Sequence, residues 1–412
     1  MRSRILVVSD FNSRGRAHFA LSSEFCRIVA ECDDADIVAP GIDNYLERRF
    51  GRILPHHDSH NVQRDFNRLV NAARKGLRLR NAATIEPVSV DQTYDLLFFV
   101  GWSPQSLVEL SRIRGWRKRC KVTVAYLFEL WSSTLEQDRA YLKLLDQFDY
   151  VFLLHSACVP QLCSYTKARC FPLVTGVDCL ISTPGLSPAE RTIDVYSYGN
   201  RSVNIHRQLL QLTETRNLFY IYDSLSSTDS RVGNWREHRL LLANMIRRSR
   251  YFIAFSPASL NNSKTSKMAG EQVVPSRFFE GAAGGAVILG TAPKCEDFDA
   301  CFDWPDAVIE VSPDTGEIAA VIDELDAQPE RIERVRRANA INCLRRHDWV
   351  YRWERILNTI GVEPRPQLRA RKAQLEQIAT EAKPCDSGKS VGFSPAKRDA
   401  SVVTSQALAA VK

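Results

Sequence analysis

Pro275-Ser276-Arg277-Phe278-Phe279-Glu280-Gly281-Ala282-Ala283-Gly284-Gly285-Ala286-Val287-Ile288-Leu289-Gly290 is the stretch of the 412-residue chain that says most about its fold. It reads as a helix start, an amphipathic helix carrying Glu280, a small-residue end and a buried strand. The free N–H groups and positive dipole end of a helix N-terminus attract phosphate, and Arg277 adds a forked donor for a diphosphate. One turn on, Glu280 can accept both hydroxyls of a ribose. The small residues from Gly281 to Gly285 let the backbone approach a ligand or a neighbouring strand.

Working outward, the alternation of short apolar runs and amphipathic segments predicts a parallel α/β sheet on each side of this unit. Strands are expected over 193–198, 218–222, 251–255, 287–289 and 308–311, with helices over 202–215, 235–248, 276–283, 315–325, 330–346 and 349–360. Toward the N-terminus, strands are expected over 5–9, 36–38, 96–101, 121–127, 150–154 and 171–174, with helices over 19–32, 62–79, 104–116 and 135–148. Ser182-Thr183-Pro184-Gly185-Leu186-Ser187-Pro188 has linker composition. The expected plan is an N-terminal Rossmann-like domain (1–179), a linker (180–192), a C-terminal Rossmann-like domain (193–362) and a disordered tail (363–412) with one short helix near 368–379.

With 44% hydrophobic and 25% charged residues, the chain is neither collagen-like nor wholly disordered. No apolar run reaches the ~18–20 residues of a membrane span, and Ile5 to Val8 is too short for a signal-peptide core. A cytoplasmic protein is expected. Eleven cysteines without a C-x-x-C pair argue against a zinc site or a disulfide framework and are read as buried free thiols. The net charge is +7, but residues 363–412 hold nine Lys and Arg against five Asp and Glu. The remaining excess is too mild to imply nucleic acid.

The run Arg277-Phe-Phe-Glu280-Gly281-Ala-Ala-Gly284-Gly285-Ala-Val-Ile-Leu289 resembles the donor-binding helix of group 1 glycosyltransferases of the GT-B fold. Within that superfamily it is most similar to bacterial enzymes of the spore-maturation-protein type. Leu173-Val-Thr-Gly176-Val177-Asp178, Tyr198-Gly199-Asn-Arg201 and His347-Asp-Trp-Val-Tyr-Arg352-Trp-Glu-Arg-Ile-Leu357 extend the resemblance over residues 5–360. It implies two Rossmann-like domains facing across a cleft, with Glu280 on the nucleotide ribose and no cofactor beyond the nucleotide-sugar substrate. Two departures stand out. Many members carry two glutamates with seven residues between them, whereas eight separate Glu271 from Glu280. The usual Arg…Lys phosphate pair is incomplete: Arg201 is followed by His206, and the next lysines are Lys264 and Lys267.

In the first domain, Asp10-Phe-Asn-Ser13-Arg14-Gly15-Arg16-Ala-His18 follows the opening strand, and its position puts it at the C-terminal edge of the sheet. His18 is a candidate acceptor-orienting group or base, or simply a helix-start histidine. Glu129, ending a strong strand at the same edge, is a candidate base or acceptor ligand, because a carboxylate in so apolar a setting is costly unless used or paired. Arg277, Arg201 and Glu271 each read either as donor ligands or as ordinary polar surface. His56-His57-Asp58-Ser59-His60 reads as helix capping in preference to a metal site. The arginine-rich segment 331–346 reads as a solvated face.

The resulting expectation is a glycosyltransferase that moves a sugar from a nucleotide-sugar donor to a glycan, lipid-linked glycan or other cell-envelope acceptor. It would work without metal or nucleic acid, at the inner face of the membrane or free in the cytoplasm. A nucleotide-sugar epimerase of the same fold and a non-catalytic sugar-nucleotide-binding scaffold are the alternatives.

Overall fold

A computed structural model describes residues 4–12, 16–41, 87–183, 191–199, 201–223, 232–260, 268 and 270–382. The expected helix over 62–79, the His56–His60 run, Lys264, Lys267 and most of the proline-rich linker lie outside these residues.

The first sheet is built from β1 (Ile5–Ser9), β2 (Ala35–Val38), β4 (Tyr94–Gly101), β6 (Cys120–Leu127), β7 (Tyr150–Leu153) and β8 (Arg169–Pro172). All pairings are parallel, in the order β2-β1-β4-β6-β7-β8. Short strands β3 (Val88–Ser89) and β5 (Ile113–Arg114) pair with each other at its side. The second sheet contains β9 (Ile193–Ser197), β10 (Tyr220–Tyr222), β11 (Ser249–Ile253), β12 (Val287–Gly290) and β13 (Ile309–Glu310) in the parallel order β10-β9-β11-β12-β13. Central strands such as β1 and β12 are apolar at nearly every position because crossover helices bury both faces. Strand order reverses between β1 and β4 and again between β9 and β11. A parallel sheet opens a crevice beyond its C-terminal edge at such a reversal.

The helix Phe19–Cys32 turns Phe19, Phe25, Ile28 and Val29 into the core. The segment expected as a helix over 104–116 is instead a 3₁₀ helix, Pro104–Arg112, running into β5. Its buried Leu107 and Leu110, and Ile113 just beyond it in β5, recur every third position, which is the 3₁₀ repeat, and Gly115 at φ 84° follows β5.

One apolar cluster runs through both domains. Its centre is the helix Trp349–Ile360: the Trp349 ring stacks on Phe25 at 4.4 Å, and Trp353 meets Phe98 at 5.1 Å. Two segments singled out in the sequence are partners here. Val177 bridges to Asp348, and Gly176 lies so close to the Trp349 indole that a Cβ would stand 2.9 Å from it. The Arg352 guanidinium donates to the carbonyls of Val174, Thr175 and Arg346. These two segments therefore brace the domain junction.

Two boundaries need correction. The linker does not begin at residue 180, because Cys179–Ser182 is a helical turn capped by Asp178. Nor is the tail disordered from residue 363. The helix Pro366–Glu381 packs against the helices Phe19–Cys32, Pro329–Arg346 and Trp349–Ile360, with Leu368, Leu375 and Ala379 fully buried. Arg371 donates to Asp178 Oδ1 at 2.7 Å and to both oxygens of Asp348 at 2.7 and 2.9 Å. Average composition concealed this: Leu368, Leu375 and Ala379 form a sparse stripe among charged residues, and the carboxylates that receive Arg371 are distant in sequence.

The ten described cysteines are free thiols, but Cys163 is exposed and Cys170 and Cys295 are half-buried, against the expectation of full burial. In the helix Pro329–Arg346, Arg334 is exposed, but Arg331, Arg336, Arg337, Arg345 and Arg346 are half-buried and pair with Asp303, Asp306, Glu333 and Glu376, so the expected solvated face is corrected to a largely ion-paired one.

Candidate active site

In the second domain the chain leaves β9 through Tyr198 and Gly199, the latter at φ 72°, a region that disfavours any side chain. Gly199 N–H donates to Asp223 Oδ1 at 2.9 Å. Beneath this turn lies the helix Ser276–Ala283. Arg277, in its first turn, donates to the Tyr198 carbonyl at 3.2 Å, and its guanidinium lies beside Gly199. Burial lowers the Arg277 guanidinium from its usual range, with Glu280, Tyr198 and Asp223 acting against that. Arg277 thus lies at the β9 edge, next to the strand-order reversal.

Glu280 is 3% exposed. Its Oε1 accepts from Arg239 Nη1 at 2.5 Å, while its Oε2 is buried with no hydrogen-bond partner among the described residues. Burial chiefly, and then the Glu280 charge, raise the Tyr198 phenol to about 12. His238, whose Nε2 lies 3.4 Å from the Tyr198 hydroxyl, is lowered by burial and by Arg239. A buried carboxylate with one oxygen unsatisfied, ringed by Tyr198, His238, Arg239 and Arg277, is costly for a protein that makes no use of it.

The other second-domain candidates fall in different places. Arg201 donates to the Asp223 carbonyl at 2.5 Å, pairs with its carboxylate at 3.3 Å and covers the Tyr222 ring at 5.1 Å. It therefore holds the ends of β9 and β10 together. Gly281 is turned toward the sheet, where a Cβ would meet Phe252 at 2.6 Å and Ile288 at 3.1 Å. Its expected place at the ligand is thus corrected to one of helix-to-strand packing. Glu271 reaches into the first domain, where its Oε1 accepts from Ser132 N–H at 3.0 Å.

In the first domain, His18 and Glu129 come together on Trp102. The His18 ring lies 4.3 Å from the Trp102 ring, and the Trp102 indole donates to Glu129 Oε2 at 2.8 Å. Trp131 donates to Glu129 Oε1 at 3.3 Å, so two indoles hold this half-buried carboxylate. Asp10, 3% exposed at the end of β1, accepts from Trp102 N–H at 3.4 Å and from the Ser106 hydroxyl. The cluster Asp10, His18, Trp102 and Glu129 occupies the β1/β4 reversal and the adjoining end of β6. Glu271, binding next to Trp131, connects it to the second domain.

Sequence reading passed over Asp10, Glu24 and Arg239. Asp10 carried a usable signal, a carboxylate at the end of a strand that is apolar from Ile5 to Val8. Glu24 and Arg239 carried none, since each sits in an ordinary amphipathic helix and gains its meaning only from its partner.

His155 packs on Trp131 at 4.0 Å and donates from Nδ1 to the Leu130 carbonyl at 2.7 Å. Burial pushes its imidazole down to about 4 from an ordinary 6.5. Between these values the unfolded chain takes up a proton that the folded one refuses, so stability falls as pH drops from 6.5 toward 4. This group contributes about 3 kcal/mol to that loss. His155→Asn, which preserves the bond to Leu130, is expected to flatten the acid limb of a stability-versus-pH curve, and an unchanged limb would contradict this assignment.

Residues 188–358, less than half of the chain, match the model of a family described as glycosyl transferase-like. No curated protein matches the sequence. Among solved structures the chain is similar to an alpha-glucosyltransferase in complex with UDP-glucose and DNA containing an abasic site, at 10% identity over 87% of this chain and 99% of that one, with a TM-score of 0.48. It is similar to HepE of Anabaena in complex with UDP-glucose, at 12% identity over 87% and 99%, TM-score 0.47. A putative UDP-N-acetylglucosamine 2-epimerase from Listeria monocytogenes is also similar, at 12% identity over 82% and 91%, TM-score 0.38. Likeness at this level carries neither substrate nor acceptor over to this chain.

Proposed function

We propose that the chain is a nucleotide-sugar-dependent glycosyltransferase, with the donor's nucleotide held in the second domain and the acceptor in the first. The observation that carries this reading is Glu280: a buried carboxylate with one bare oxygen, beside the β9/β11 reversal, inside the region that matches a glycosyl transferase-like family. Its bare oxygen suits a ribose hydroxyl, and Arg277 beside the Gly199 turn suits the diphosphate. The motifs around residues 277–289 support a likeness to spore-maturation-protein-type enzymes within that class.

In the reaction an acceptor hydroxyl attacks the anomeric carbon, the bond from that carbon to the diphosphate oxygen breaks, and the nucleoside diphosphate departs with the electron pair. Fixed cations such as Arg277 stabilise the charge gathering on the leaving group. Glu129, held by two indoles next to His18, takes the acceptor proton. The described residues include no helix long and apolar enough to cross a membrane. A cell-envelope acceptor would be met through peripheral contact.

The test is incubation with UDP-, GDP-, TDP- and ADP-sugars, following both thermal shift and nucleoside diphosphate release. A bound donor at 100 times its dissociation constant raises stability by about 2.7 kcal/mol. Stabilisation by one nucleotide sugar, with diphosphate release that rises on addition of acceptor glycans, is the expected result. Interconversion of two nucleotide sugars without transfer would make the chain an epimerase, and no stabilisation by any of the four would remove the reading.

A further inference from the structure

Arg239 lies in the helix Trp235–Arg247 of the second domain and is 7% exposed. It grips two carboxylates at once. Nη1 donates to Glu280 Oε1 at 2.5 Å, Nε donates to Glu24 Oε2 at 2.6 Å and Nη2 donates to Glu24 Oε1 at 3.2 Å. Glu24 belongs to the first-domain helix Phe19–Cys32 and is itself 3% exposed. Its Oε1 also accepts from the Trp349 indole at 2.9 Å and from the Asp178 N–H at 3.0 Å. Glu24 is thus fixed from several sides, and the bond from Arg239 is what holds Glu280.

We infer that Arg239 is a positioning residue: it pins Glu280 by one oxygen, presents the other to the nucleotide ribose, and braces that contact on Glu24 of the first domain. The inference rests on the ribose role proposed for Glu280. A guanidinium suits the task because its planar fork can meet two carboxylates in fixed directions, which a lysine ammonium cannot reproduce. Arg239 is shared between two buried carboxylates, and the Glu280 oxygen it does not hold is left as the acceptor for a hydroxyl donor. Donor binding in one domain is in this way tied to the packing of the other.

The experiment measures, on the full chain, the affinities of UDP, GDP and ADP and of their 2′,3′-dideoxy counterparts. The diphosphate bound best is then compared with its own dideoxy form. Wild type is expected to prefer the ribose form at least about tenfold, the size of a lost charge-assisted hydrogen bond. In Arg239→Gln that preference is expected to collapse to about twofold or less, while affinity for the dideoxy form stays within about threefold of wild type. A general weakening of the fold would lower both affinities and leave the ratio alone, so the ratio separates positioning from mere structure. Arg239→Lys keeps the buried positive charge, and so serves if the glutamine variant fails to fold by circular dichroism. Its single ammonium cannot grip both carboxylates, and the preference is expected to fall at least about threefold. A folded variant that retains the full wild-type preference overturns the positioning role alone. A wild type with no preference overturns the ribose role of Glu280 first, and the positioning role with it.

Discussion

Truncation after Val362 is expected to lower the melting temperature by about 10 °C or more. The deletion removes the helix Pro366–Glu381, whose Leu368, Leu375 and Ala379 are fully buried against three other helices. Large-to-small changes at buried leucines cost about 2–5 kcal/mol each. Loss of Arg371 adds a second cost, because Asp178 and Asp348, both nearly inaccessible, would keep their charges without that cation. Breaking a buried pair from one side costs about 3–5 kcal/mol. The single change Arg371→Ala isolates this second part and should lower unfolding free energy by that amount. A 1–362 chain that melts with the full-length protein would mean that the helix contributes nothing to the fold.

The second large effect is expected at Glu129. Glu129→Gln keeps the shape of the side chain and its acceptor for an indole, but cannot take up a proton. Transfer should fall about 10²–10⁴-fold, the usual contribution of a general base. Donor affinity should stay within about twofold of wild type, because the proposed donor contacts lie in the other domain. His18→Ala, made in parallel, removes the ring that stacks on Trp102 and should cost less than Glu129→Gln. Full turnover in Glu129→Gln would remove it as the base and point to a retaining route with no base on that side. Loss of donor affinity in both variants would contradict the division of labour between the domains.

How much of this was legible in the sequence depends on whether an interaction is local. The strands β1, β6, β7 and β12 announce themselves as short continuous apolar runs, because parallel strands covered on both faces need no alternation. The helix Ser276–Ala283 and its glutamate could be located for the same reason: helix, small-residue turn and strand are neighbours along the chain. The 3₁₀ segment Pro104–Arg112 was misread as α-helical, since a pair of apolar residues three apart, such as Leu107 and Leu110, fits either helical repeat. Gly281 was read as allowing close approach both to a ligand and to the neighbouring strand, because sequence does not say which of the two a small residue faces. Here it is the side chains of Phe252 and Ile288. A short helix near 368–379 was legible, but its docking was hidden by averaging, three buried positions being diluted among Lys, Arg, Gln and Glu. The Glu24–Arg239–Glu280 cluster was out of reach, because its members are brought together only by docking of the two domains.

The measurement that tests the central claim most directly is a calorimetric titration of wild type and Glu280→Gln with the nucleotide sugar that stabilises the wild type. Glutamine preserves volume and can still accept from Arg239, so the fold should survive where alanine would leave Arg239 half paired. Replacing the charged acceptor should cost about 1.5–3 kcal/mol, or about 10- to 150-fold in dissociation constant. That loss, at an unchanged melting temperature without ligand, is the result predicted for a second domain that holds the donor through Glu280. Equal affinity in the two proteins would contradict it.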